Sequence, residues 1–186
     1  MKRSWPVIVL LVVLGAACTG GAPDTASDAP PEDRTTTTLP DLGPARGLHN
    51  LDGWLQADIS SLDDLLGKVV VVQFWTFGCH NSQATLPNLT ALYAEHAGDD
   101  FEIVGIHSPE FDSEKDPDRI LEASRDFGIT WPIALDTEKD TFWEWQDSPA
   151  YWPRTYVLDR EGRIRFDLVG EGKYDELNEV VATLLG

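Results

Sequence analysis

The stretch from Val69 to Ser82 constrains this chain most. Val69-Val70-Val71-Val72-Gln73-Phe74-Trp75 is a continuous run of β-branched and aromatic residues. A run without alternation is the pattern of a strand buried on both faces. Thr76-Phe77-Gly78 interrupts it as a turn, and Cys79 follows. From residue 79 to 96 Leu86, Leu89, Leu92 and Tyr93 recur at helical spacing, and Pro87 inside that segment should kink it. A strand, a turn and a helix that opens on a cysteine put the sulfur at a helix N-terminus. Unpaired N–H groups and the positive end of the helix dipole there favour thiolate over thiol. Three residues on, where a redox site would place a second cysteine, stands Ser82.

The rest of the chain supplies layers for that strand to be buried between. Residues 60–67 read as a short capped helix ending at Gly67. Residues 101–106 are a second buried strand, 118–127 a helix closed by Gly128, 131–135 a short strand, and 137–145 a short helix. Residues 155–158 and 163–169 are strands joined by the turn Asp159-Arg160-Glu161-Gly162, and 174–185 is a closing helix with Leu177, Val180, Val181 and Leu184 on one face. Parallel strands need crossover helices, while the last pair shares a tight turn and must be antiparallel. The expected fold class is α/β: a central mixed β-sheet with helices on both faces, and a strand-helix insertion before the final hairpin.

Residues 1–18 look like an export segment. Lys2 and Arg3 precede an apolar stretch from Val7 to Ala17, shorter than the ~20 residues of a spanning helix. Leu14-Gly15-Ala16-Ala17-Cys18 resembles a bacterial lipobox, with Gly15 where an aliphatic residue is usual. The expectation is a lipidated Cys18 and a mature domain outside the cytoplasm, held to the membrane by the lipid anchor only. An ordinary secretory signal with an incidental Cys18 is the alternative. Residues 19–47, rich in Pro, Thr, Ala, Gly and Asp, have almost no large apolar side chains and are expected to be a disordered tether. The folded domain is then 48–186. The formal charge of −18 argues against nucleic acid and against electrostatic docking on anionic lipid.

The motif Trp75-Thr76-Phe77-Gly78-Cys79-His80-Asn81-Ser82 resembles the W-T-Y-x-C-x-N-C segment of extracytoplasmic thioredoxin-like thiol-disulfide oxidoreductases, the TlpA/ResA/DipZ-like group. The likeness continues through Leu86-Pro87, residues 104–111, 131–136, 151–153 and Gly170-Glu171-Gly172. It implies a thioredoxin-like fold with Cys79 as the nucleophile. Pro153 matches a cis-proline facing the sulfur, whose backbone pairs with substrate. Glu110 matches an acid that assists proton transfer, and Trp75 an aromatic that shields the motif and is expected, with Trp152 and Pro153, on the substrate-binding surface. Trp152, beside Pro153, is the candidate substrate-facing aromatic. Ser82 replaces the resolving cysteine with CxxS. A hydroxyl cannot attack a mixed disulfide, although it can donate a hydrogen bond to the Cys79 thiolate.

Other polar residues carry less. His80 is expected to face solvent and His107 to play a hydrogen-bonded structural role. Asp112, Glu114, Asp116 and Asp118 read as a solvated loop, and Trp131 and Trp143 as core. No histidine spacing suggests a metal, and no cofactor is expected. Three functions remain open. The first is monothiol exchange with protein disulfides or thiols, or with small thiols, in which an external thiol reductant releases the product. The second is a redox-inactive module that holds peptides at the cis-proline face. The third, peroxide scavenging, lacks the P-x-x-x-T-x-x-C arrangement.

Overall fold

The computed structural model describes residues 38–186. Six strands form one sheet: β1 (Trp54–Leu55), β2 (Val69–Trp75), β3 (Phe101–His107), β4 (Ile133–Leu135), β5 (Arg154–Leu158) and β6 (Ile164–Val169). Their order is β1-β4-β3-β2-β5-β6. β2, β3 and β4 run parallel, while β1, β5 and β6 pair antiparallel with their neighbours. The helices are α1 (His80–His96), α2 (Pro117–Asp126), α3 (Asp140–Gln146) and α4 (Tyr174–Leu185). Residues 62–65 and 112–114 form single 3-10 turns.

β2 lies at the centre and is buried along its whole length. Its side chains alternate between two cores because successive strand residues point to opposite faces. Val69, Val71 and Trp75 pack with Leu86, Leu89 and Leu92 of α1, Ile120 of α2 and Leu177, Val180 and Val181 of α4. Val70, Val72 and Phe74 pack on the other face with Phe142 and Trp145 of α3. Each of α1's three leucines contributes about 2 kcal/mol by burial. Gln73 belongs by parity to the α1 face, where its Nε2 donates to Thr85 Oγ1 at 2.6 Å. α1 runs through Pro87 as one helix.

Several expectations need correction. The ordered chain starts before residue 48. Leu42 N donates to Ile164 O and Ala45 N to Gly162 O, and Asp41 pairs with Arg163, so residues 41–45 lie along the segment from Gly162 to Ile164 that leads into β6. A composition average hides the few residues here that have partners. The two-residue β1 was not expected, being too short to carry a periodic signal. Trp143 is 50% exposed and not core, whereas Trp131 is buried. Trp143 instead meets the ring of Phe142 edge-on at 5.2 Å. The expected export segment, Cys18 and residues 19–37 lie outside the described residues.

Candidate functional site

Cys79 is the N-cap residue of α1, in extended conformation. Its N–H donates to Thr76 O at 3.3 Å, and its carbonyl accepts the first helical bond from Gln83 N at 3.0 Å. Gln83 Nε2 reaches back to Phe77 O at 2.8 Å and ties down the turn. The Cys79 side chain makes no capping bond, so the sulfur is not consumed by the helix. It is half-buried, and Sγ points its proton at Trp152 O, 3.7 Å away. The Trp152–Pro153 peptide is cis.

One wall of the site holds Trp152. Its Nε1 donates to Ser108 O at 2.7 Å, and its ring stacks on Phe142 with centroids 4.3 Å apart. Lys139 Nζ lies 5.8 Å from the ring centre. Behind them sits the fully buried Asp136. Its Oδ2 accepts from Ser108 Oγ at 2.7 Å and Phe142 N at 2.9 Å, and its Oδ1 accepts from Thr141 N at 3.1 Å. Burial pushes its pKa up to about 6, against the pull of the Ser108 and backbone hydrogen bonds.

A second wall is built on Glu114, which is 2% exposed. Thr76 Oγ1 donates to its Oε2 at 2.7 Å, as do the N–H groups of Glu110 at 2.7 Å and Phe111 at 3.2 Å. Oε1 faces Gly78 so closely that an added Cβ there would clash with it. Glycine is therefore required by this close approach. His107 touches the same group, its Nε2 3.4 Å from Thr76 Oγ1, with its ring edge-on to Trp75 and stacked on Phe77. Burial drives the His107 pKa down to about 3, so the ring is neutral at neutral pH.

The residues expected at the site separate on inspection. Cys79, Trp152 and Pro153 come together. Trp75 is 0% exposed, so it cannot contact a substrate and acts from behind as core. Trp152 is half-buried, and its indole N–H is committed to Ser108. Ser82 is fully buried and its Oγ has no hydrogen-bond partner, so the hydrogen bond it could donate to Cys79 is not formed. His80 is exposed. Glu110 is exposed too, and only its backbone N–H serves the site. The carboxylate turned inward is Glu114, against the expectation of a solvated loop. Four carboxylates alternate over residues 112–118, and that pattern does not mark the inward one. Gly78 was the available signal, since it leaves room beside the cysteine. Two cavities of about 460 Å³ each open near residues 44–48, and Cys79 lines neither.

Protein DipZ of Mycobacterium tuberculosis is 33% identical over 159 residues, covering 86% of this chain and 22% of DipZ. The chain thus spans less than a quarter of that relative's length. Thiol-disulfide oxidoreductase YkuV of Bacillus subtilis is 28% identical over 124 residues, 64% of this chain and 79% of YkuV. A thiol-disulfide isomerase from Corynebacterium glutamicum superposes with a TM-score of 0.63 at 22% identity, covering 80% of this chain and 97% of its own. That likeness shows a thioredoxin-like fold. The AhpC/TSA family pattern matches residues 44–167, and the chain belongs to the AhpC/TSA family of thioredoxin-like redoxins.

Proposed function

We propose that the domain performs thiol-disulfide exchange in the cell envelope through Cys79 alone. The observation that carries this reading is the half-exposed sulfur at the start of α1, set against Trp152 O next to Pro153. The Cys79 thiolate attacks a disulfide R–S–S–R′, forming Cys79–S–S–R and releasing R′S⁻. An external thiolate R″S⁻ then attacks that mixed disulfide, giving R–S–S–R″ and restoring Cys79 S⁻. The external thiol is the reductant, and the substrate disulfide is the oxidant. Ser82 takes no covalent part. The backbone beside Pro153 is the surface that would pair with a substrate chain, and Trp152 flanks it.

Turnover of a small-thiol disulfide by the wild type and by Cys79→Ala tests this. Activity that disappears in Cys79→Ala supports exchange, and equal rates end it. The second reading, a binding module, is favoured by Cys79 being the lone sulfur of the described residues and by the buried, unpartnered Ser82. Partner capture that survives both Cys79→Ala and a reducing agent would favour that reading.

The same proposal includes export and a lipid anchor at Cys18, supported by Lys2-Arg3, the apolar stretch and the lipobox-like Leu14-Gly15-Ala16-Ala17-Cys18. A Cys18→Ala variant is expected to leave the membrane fraction. Unchanged membrane retention would remove the anchor from the reading.

A further inference from the structure

We propose that Glu114 is a positioning residue of the site, whose buried negative charge opposes charge on the Cys79 sulfur and so lengthens the life of a mixed disulfide. Three observations carry this. First, a carboxylate buried in a protein is normally matched by a cation, because its desolvation is costly. Among the described residues no ion pair reaches Glu114. Lys115 pairs with Asp112 and Glu138, and Arg119 donates to Ser113 O and lies over the Phe77 ring. Second, all three of its hydrogen-bond donors converge on Oε2. Oε1 is spared and lies against Gly78, the residue before the nucleophile. Third, the neighbouring His107 is neutral and supplies no compensating charge.

Other charged groups surround the turn. His80 opens α1, Glu110 and Asp112 stand on the loop after β3, Arg119 comes from α2, and Lys139 lies over Trp152. Each is at least partly exposed, so solvent and salt screen it. Asp136 is buried as well, but it reaches the sulfur only through Ser108 and Trp152. Glu114 is the unscreened charge next to the turn, and it works against the N-terminus of α1. A charge that disfavours the thiolate makes Cys79 a slower leaving group when an external thiol attacks. The domain would then hold a trapped partner longer than the helix terminus alone would allow. This consequence for release rests on the single-thiol exchange proposed above.

Glu114→Gln tests the idea, because glutamine keeps an acceptor for Thr76 and the two amides while removing the charge. The rate of Cys79 alkylation by iodoacetamide is measured against pH, with a thermal melt of each variant. The inflection is expected to move to lower pH by about one unit in Glu114→Gln. The mixed disulfide with a small thiol should also be released several-fold faster. Gly78→Ala, whose Cβ must displace Oε1, should shift the inflection in the same direction and serves if Glu114→Gln folds poorly. An unmoved inflection in a variant that melts like the wild type overturns the proposal. Alkylation needs no turnover, so a shifted profile in a protein without exchange activity would sink the exchange reading and leave the role of Glu114 standing.

Discussion

Asp136 and Glu114 are both buried carboxylates without an ion-pair partner among the described residues, one behind Trp152 and the other beside Gly78. They are used differently. Asp136 accepts on both oxygens, from Ser108, Thr141 and Phe142, and so joins the end of β3 to the start of α3. Its hydrogen bonds also hold both supports of Trp152, the Ser108 segment below the indole N–H and the Phe142 ring beneath its face. Glu114 accepts on one oxygen only and presents the other to Gly78. A fully satisfied buried carboxylate is a structural tie, whereas a lopsided one leaves charge to act on its surroundings. The Trp152 wall is thus built for rigidity and the Glu114 wall for electrostatics.

The largest test strikes the rigid wall. Phe142→Ala removes the ring beneath Trp152 and leaves a cavity in the α3 core, and should cost about 3–5 kcal/mol in urea unfolding. A cost under 1 kcal/mol would mean that Trp152 is held by Ser108 alone.

Acid titration comes next. Asp136 has a folded pKa of about 6, above its ordinary 3.8, so the stability it contributes is present below 3.8 and lost as pH rises through 6. His107 has a folded pKa of about 3, below its ordinary 6.5, so its contribution is present above 6.5 and lost as pH falls toward 3. Between roughly pH 4 and 6 the two slopes oppose each other and nearly cancel. Asp136→Asn removes one of them. Relative to wild type its stability should fall by about 1.4 kcal/mol per unit as pH drops from 6 to 4. Parallel curves for the two proteins would contradict this pairing.

Two smaller effects separate the walls further. Thr76→Val deletes the hydroxyl that Glu114 Oε2 accepts and should cost about 2 kcal/mol in chemical denaturation. No measurable loss would show that the two backbone amides suffice. Lys139→Ala removes only a cation above Trp152 and should change stability by about 0.5 kcal/mol. A loss several times larger would mean that Lys139 is part of the rigid wall.

Much of this architecture was legible in the residues themselves. β2 matches the uninterrupted Val69–Trp75 run, and α4 the Leu177, Val180, Val181 and Leu184 stripe, because both depend on a period that local sequence carries. The hairpin of β5 and β6 was legible from its Asp-Arg-Glu-Gly turn. β1 was not, since its two residues owe their strand character to pairing with β4, far along the chain. Residues 42–45 escape a composition-based reading for the same reason, because they are held by hydrogen bonds to Gly162 and Ile164.

The site shows the same division. A single sulfur at a helix start, with Ser82 in place of a second, follows from the order of residues along one strand-turn-helix unit. Local geometry alone is enough to present that sulfur. The choice between Glu110 and Glu114, four residues apart, was decided only in three dimensions. Burying a carboxylate is feasible only where donors gather around it, and here Thr76 comes from the end of β2 while the amides of Glu110 and Phe111 come from the loop after β3. Trp75 moved from the expected substrate surface into the core for a like reason: the sheet and α1 close over it. Sequence determined which atom can react. Tertiary structure determined which charge sits beside it, because solvation and hydrogen bonding of a buried group depend on neighbours distant in the chain.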